Sequence, residues 1–496
     1  MAVFGAQLVF NLIIFSFLQK LSPIYSFGRW LLCGRLFRYL HPTDEEIKSA
    51  AGMSQSSGKV KNRREDKRRQ ANAKFDTTFN VPRSTHIHLD TAPVEAIDLV
   101  SLHYYPEYQW LMDFWFATVV VYILTEVYYG LLPRNEMNIS VIWCLLAIGF
   151  CLRLLFMQTR IYFTLEEGGE KILVVTFGFF YLVAAMGVLV VDEKVLEFGL
   201  EEAYTNFSLS ATEFLNTHGI DSQGPVSYLT FKIILAFVCS IIGALLIFPG
   251  FRMAKLHLDS LKYSRENRFK QIILHLNFIF PLILVLLWVR PIAREVLCGL
   301  SWEVTTRLFS ESVFDVLRIF LFVIFCIIRL VLMPTHIQSH LNSAYDRMEN
   351  LKKESGKISN VEIQKMVARI FFYACMITLQ YITPVLLLTL LMMLYKTLGG
   401  FSWVALFGEP AEKFVESLLG VQADVASTVT EATITNTTTD SIVAKATEFS
   451  LAFMNLRQVF TPLWYQGLLS FLLWWTCASW FTSMAFGVYY YSRMTS

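Results

Sequence analysis

The stretch VFDVLRIFLFVIFCIIRLVLM, residues 313–333, decides the fold. An α-helix rises about 1.5 Å per residue, so roughly 20 mainly apolar residues cross the ~30 Å hydrocarbon layer of a bilayer. This stretch meets that length while carrying Asp315, Arg318 and Arg329. Outward from it, eight more segments qualify or nearly do: 2–18, 110–131, 139–158, 172–191, 229–248, 272–289, 370–395 and 467–491. The 496 residues are 55% apolar and only 17% charged, far from a water-soluble balance. At these lengths only helices satisfy their own backbone in lipid. The sequence therefore predicts an all-α polytopic membrane bundle of about nine transmembrane helices.

The connections orient the bundle, because basic residues are retained on the cytoplasmic side. Residues 20–109 hold fourteen Lys plus Arg, 249–271 six and 333–369 six. By contrast, 192–228 holds Lys194 against seven acids, and the 71-residue connection 396–466 holds four bases. An N-terminus outside and a cytoplasmic C-terminus put every basic connection in the cytoplasm. The Asn-x-Ser/Thr sequons at Asn138, Asn206 and Asn436 then all fall on the opposite side. Asn206 and Asn436 have room for a glycan, whereas Asn138 lies close to the membrane. The layout is an N-terminal anchor helix at 1–19, a basic cytoplasmic loop at 20–109, and a core bundle of seven helices at 110–395. A Thr-rich external loop at 396–466 and a last span with a short cytoplasmic tail at 467–496 complete it. The first segment is short and lacks a basic leader, so a signal sequence is its alternative reading. The fourteen bases that follow it favour a retained anchor.

Outside the spans, GKVKNRREDKRRQ (58–70) carries seven bases against two acids and reads as a flexible tether able to contact anionic lipid. Nine spans exclude a nuclear, nucleic-acid-binding role for it. SFGRWLLCGRLFRYL (26–40) interleaves Trp30, Leu36, Phe37 and Leu40 with Arg29, Arg35 and Arg38, the pattern of an interfacial helix. Residues 345–369 follow a helical pattern broken at Ser355-Gly356, and they extend the adjoining spans into the cytoplasm. Six of the eight cysteines lie inside spans and read as packing residues. Cys33 is a candidate for reversible acylation. Phosphate-cradling, metalloprotease and nucleophile-elbow motifs are absent, no cofactor signature occurs, and His336 with His340 lacks a third metal ligand. The chain is expected not to be an enzyme.

A charge at the bilayer centre costs roughly 2.5–3.5 kcal/mol on insertion scales and usually faces a bundle interior or water. By helical rise, Asp315 and Arg318 enter from the outer face by about 3 and 8 Å. Lys232 and Glu126 fall at a comparable level, giving an outer layer with two charges of each sign. On the inner side, Arg153 and Arg329 face only Asp113 at the membrane edge. Lys232, Arg329 and Arg153 are within snorkelling reach of water. Asp315 and Arg318 lie one turn apart with opposite signs. They predict a pair that also engages Lys232 or Glu126 and fixes how spans two, five and seven pack. Asn277 precedes Pro281 by four residues and Gln380 precedes Pro384 by four. Each proline withholds the helical donor from that carbonyl, so both mid-span positions are candidate breaks lining an ion or substrate path.

In order along the chain, RWLLC (29–33), HPTDEE (41–46), HYYPEYQW (103–110), TEVYY (125–129), EMNIS (136–140), VTFGFF (175–180), LEFGLE (196–201), FPGFR (248–252) and VEIQKMVAR (361–369) resemble the transmembrane protein 161 family. The resemblance runs from residue 1 to the end and departs most in the basic run near 60 and in the Thr-rich loop. It implies a multi-pass protein of the plasma membrane, or alternatively the endoplasmic reticulum, that influences potassium and calcium currents or calcium homeostasis in excitable cells. Expected partners are membrane lipids and ion channel or calcium pump subunits. The family brings no catalytic residue or transported substrate to map. The competing class is a channel or transporter using the kinked helices and the outer charge layer.

Overall fold

The structure is a computed structural model. It describes residues 5–21, 24–51, 79–82, 85, 88–131, 138–164, 169–217, 225–298, 310–353, 358–401, 403 and 459–494. Along the chain run α1 (Gly5–Leu21), α2 (Phe27–Leu32), β1 (Phe37–Tyr39), α3 (Asp44–Ala50), β2 (Asn80–Val81), β3 (Thr91–Pro93), α4 (Ala96–Val100), α5 (Tyr105–Leu131) and α6 (Ser140–Thr164). Next come α7 (Gly169–Val190), α8 (Leu200–Thr217), α9 (Tyr228–Leu245), α10 (Ile247–Tyr263), α11 (Arg268–Leu286) and α12 (Arg294–Cys298). The chain ends with α13 (Glu311–Lys353), β4 (Ile358–Ser359), α14 (Asn360–Phe372), α15 (Ala374–Leu398) and α16 (Pro462–Met494).

Among the described residues, eight helices or joined pairs are long and apolar enough to cross a membrane: α5, α6, α7, α9 with α10, α11, α13, α14 with α15, and α16. They coincide with eight of the nine predicted segments. The other, α1, is a helix of 17 residues, about 26 Å by helical rise and so at the short limit for crossing. It rests against α5, where the Gln7 amide donates to Tyr129 Oη at 2.6 Å and accepts from Ile139 N at 3.2 Å. The centre is α15, in which every residue from Ala374 to Lys396 is buried. Helices α6, α13 and α16 pack on it, α10 packs along α16, and α7 along α9.

Three expectations change. Both α11 and α15 stay helical through Pro281 and Pro384, so neither proline opens the backbone. Close neighbours hold the helices together there, as where Cys477 Sγ donates to Pro281 O at 3.5 Å. Residues 249–263 continue the membrane helix as α10 instead of forming a connection, and 200–217 form the amphipathic α8 packed on α16. Residues 26–40 form no interfacial helix. α2 ends after six residues, Gly34 takes φ +68, and Phe37, Arg38 and Tyr39 pair as a strand with Pro93, Ala92 and Thr91. A positive φ is open to glycine at no steric cost, so the chain turns there.

That strand belongs to a cap at one end of the bundle. Helix α13 is 43 residues long, about 65 Å, and its far half carries the cap. Phe37 N donates to Gln338 Oε1 at 2.8 Å, Tyr39 Oη to Asn342 Oδ1 at 3.1 Å, and Tyr345 Oη to Leu89 O at 3.2 Å. On α14, Asn360 Nδ2 and Gln364 Nε2 donate to Asp44 Oδ1 at 2.7 and 3.0 Å. β2 pairs antiparallel with β4. The basic run 58–70 and Asn436 lie outside the described residues.

Candidate functional site

At the end opposite the cap, charged side chains from three segments meet. Leu196 bridges Val289, Glu197 N donates to Trp288 O at 3.1 Å, and Arg290 N donates to Val195 O at 2.9 Å. This latch brings Glu197 and Arg294 to the start of α13. Arg294 pairs with Glu197 at 2.8 Å, Asp315 at 2.7 Å and Glu311 at 3.6 Å. Arg318, with 4% of its side chain exposed, pairs with Glu197 at 3.2 Å and Asp315 at 3.6 Å. The Arg318 guanidinium lies 4.4 Å from the centre of the Phe314 ring and 5.1 Å from that of Trp288. Two arginines therefore share three carboxylates; Arg318 is enclosed by aromatic rings, where solvent screening is weak, whereas Glu311 is 70% exposed at the rim.

Asp315 and Arg318 are thus paired, but Lys232 and Glu126 take no part. Glu126 instead forms an ion pair with Lys396 and accepts from Thr397 Oγ1 at 3.3 Å. The Lys232 ammonium lies 4.4 Å from the Tyr228 ring centre. The physical reason is rotation: equal depth along separate helices does not set which face each side chain occupies. Glu197 and Arg294 lie outside the spans and carry no intramembrane signal, and the pairing of 195–197 with 288–290 delivers them.

The inner charges also part company. Asp113 is engaged by the start of α2: its Oδ1 accepts from Ser26 Oγ at 2.9 Å and Gly28 N at 3.2 Å, which anchors α2 to α5. Arg153 is exposed on α6. Arg329 does not snorkel, since it is 0% exposed. Its guanidinium lies 4.9 and 5.1 Å from the Trp480 and Phe325 ring centres, and Nη2 donates to Met484 Sδ at 3.7 Å.

The amides beside the prolines differ in the same way. Gln380 is engaged, accepting from Arg252 Nε at 3.0 Å and donating to Tyr162 Oη at 2.9 Å. Asn277 is fully buried, with both amide atoms unpartnered among the described residues. His336 Nδ1 meets Ser260 Oγ at 3.0 Å, and the described residues contain no group of three or more His, Cys, Asp or Glu able to hold a metal.

Of the sequons, Asn206 sits on α8, where its Oδ1 accepts from Thr461 Oγ1 at 2.8 Å. Asn138 Oδ1 accepts from Ser140 N at 3.0 Å and Ser140 Oγ at 2.6 Å. Cys33 is half-buried, and that burial pushes its thiol above its ordinary value against the opposing field of Arg29.

Long apolar helices around a fully buried central one define an integral, multi-pass α-helical membrane protein. A family model described as predicted transmembrane protein 161AB matches residues 2–495, and the chain belongs to that family. No solved structure matches it.

Proposed function

We propose that this chain is a non-enzymatic membrane regulator of potassium and calcium currents, or of calcium homeostasis, in excitable cells. It acts on channel or calcium pump subunits, in the plasma membrane or alternatively the endoplasmic reticulum, with membrane lipids as its other contacts. The observation that carries this reading is the cap. Segments far apart in sequence, around Phe37–Tyr39, Asp44 and Asn360–Gln364, are joined into an ordered polar surface on the end of α13 and α14. Such a surface is suited to holding a partner against the membrane. With an outside N-terminus it faces the cytoplasm, where the basic connections belong.

Co-purification from excitable tissue tests the proposal. Wild-type protein should recover a channel or calcium pump subunit, and Asp44→Ala, which removes the acceptor shared by Asn360 and Gln364, should recover less. A preparation free of such a subunit, from cells whose currents still respond to loss of the protein, counts against it. Conduction by this chain itself is the second reading, favoured by the Arg252–Gln380–Tyr162 polar seam between helices. Ion flux in liposomes that disappears in Gln380→Ala would select it.

A further inference from the structure

Where α10, α13 and α14 run past the ends of their apolar segments toward the cap, four cations gather. Arg252 and Lys255 share one face of α10, about 6 and 10 Å beyond the apolar segment that ends at residue 248. Arg369 on α14 sits at the edge of the segment 370–395, and Arg347 lies farther out on α13. Bonds between α10 and α13 fix their register. Ser260 Oγ donates to Ser339 Oγ at 3.0 Å, and Ser339 Oγ lies 3.4 Å from Leu256 O. Lys255 is therefore close in level to His340, and Arg347 follows two turns later on the His340 face. Arg252 is held from the bundle side, its Nε donating to Gln380 Oε1 at 3.0 Å, and Lys255 Nζ lies 5.8 Å from the Tyr491 ring centre on α16. Arg347 is within electrostatic reach of Arg252, Lys255 and Arg369.

Like charges gathered in this way repel unless an anion lies among them. Among the described residues no carboxylate comes within ion-pair range of any of the four. Asp259, on the same face of α10, is the acid in electrostatic reach, and it leaves the positive charges in excess. Asp346 is already committed to Lys262 and to Tyr263 Oη, each at 2.7 Å. The cluster is also open. Arg347 and Arg369 are exposed, Arg252 and Lys255 are half-buried, and none of their charged nitrogens is closed off from solvent without a partner.

We propose that Arg252, Lys255, Arg347 and Arg369 bind clustered phosphate groups, supplied by a polyphosphorylated lipid headgroup of the leaflet on the cap side. Their stagger, from Arg252 near the edge of the hydrocarbon to Arg347 farther out, suits phosphates that begin at the membrane and extend away from it. Tyr162, stacked on Phe248 at 3.8 Å, and Tyr491 flank the cluster with amphipathic rings of the kind that sit at headgroup level. The proposal needs the chain to lie in a membrane and needs no channel or pump subunit, so it stands or falls separately from the function proposed above.

The test uses the purified full chain in detergent at constant ionic strength, titrated with short-chain phosphatidylinositol bisphosphate, short-chain phosphatidylserine or free inositol trisphosphate. The bisphosphate lipid should raise the thermal midpoint and saturate, and phosphatidylserine at the same concentration should not. Saturation by the lipid at lower concentration than by inositol trisphosphate assigns the phosphates to a headgroup. Equal potency assigns them to a soluble inositol phosphate and overturns the lipid source. Arg347→Gln with Arg369→Gln removes two exposed bases and leaves the core intact, so half-saturation should require about thirty-fold more lipid. Arg265→Gln with Arg268→Gln removes the same charge from exposed positions at the same end of the molecule and should titrate as wild type. No saturable shift, an equal shift with phosphatidylserine, or an equal loss in the two double variants overturns the proposal.

Discussion

Arg318 is held between two carboxylates, and the nearer is Glu197, at 3.2 Å against 3.6 Å for Asp315. Losing Arg318 leaves Arg294, 2.8 Å from Glu197 and 2.7 Å from Asp315, as the one cation of this network for three carboxylates; an undercompensated charge in a partly buried set typically costs about 3 kcal/mol or more, whereas removing a matched pair is often close to neutral. Arg318→Leu should therefore lower the thermal midpoint and the folded yield in detergent. Adding Glu197→Gln should restore much of the loss, because Arg294 still serves Asp315 and Glu311. A double variant no better than Arg318→Leu would show that the network carries no such coupling. Of this network, only the Asp315–Arg318 contact was readable beforehand, because three residues on one helix fix a distance. Glu197 and Arg294 come from connections, and nothing local says where a connection will lie once the helices have packed.

Helices α10 and α16 approach so closely that a side chain at the crossing has nowhere to go. A Cβ on Gly487 would lie 2.7 Å from Ala254 Cβ and 3.0 Å from Phe251 Cα, and one on Gly250 would meet Ser483. In lipid, helix association rests on such close packing, since the tails are as apolar as the side chains. Overpacking a tight site costs about 1–3 kcal/mol, so Gly487→Ala should lower the thermal midpoint. Gly250→Ala should do the same, and the pair together should do so less than additively, since both relieve strain by moving the same helices apart. Unchanged midpoints would mean that the crossing opens freely. At this scale the eight spans were legible, because length and apolarity are properties of a segment alone. The helicity of 249–263 and 200–217 was not, because charged and polar residues there resemble a connection until a neighbouring helix covers their apolar face.

For the whole molecule, the division between bundle and cap predicts two stabilities. The bundle is closed around α15, whereas the cap adds to a few buried side chains such as Ile47 and Leu89 a set of individual hydrogen bonds, among them Asn360 Nδ2 to Asp44 Oδ1 at 2.7 Å and Phe79 N to Asn360 Oδ1 at 3.1 Å. Asn360→Ala should speed limited proteolysis within residues 24–103 several-fold while leaving helical circular dichroism unchanged, as expected when local opening is cheaper than global unfolding. Equal proteolysis rates would show that the cap is held chiefly by its apolar contacts. The cap itself could not be read from the sequence, because its strands are two or three residues long. Their partners lie far away along the chain.

Helix α13 carries the Asp315–Arg318 end of the ion network, then Arg329, then the Gln338 and Asn342 anchors of the cap. Mechanically it is a lever that passes right through the membrane. From the ion network to the cap anchors is about 36 Å along the helix, so a tilt of about 5° pivoting at the network would carry the cap sideways by about 3 Å. A charge gained or lost beyond one face of the bilayer would thus be read as displacement beyond the other, with no signal having to cross the lipid except the swing of a single rod.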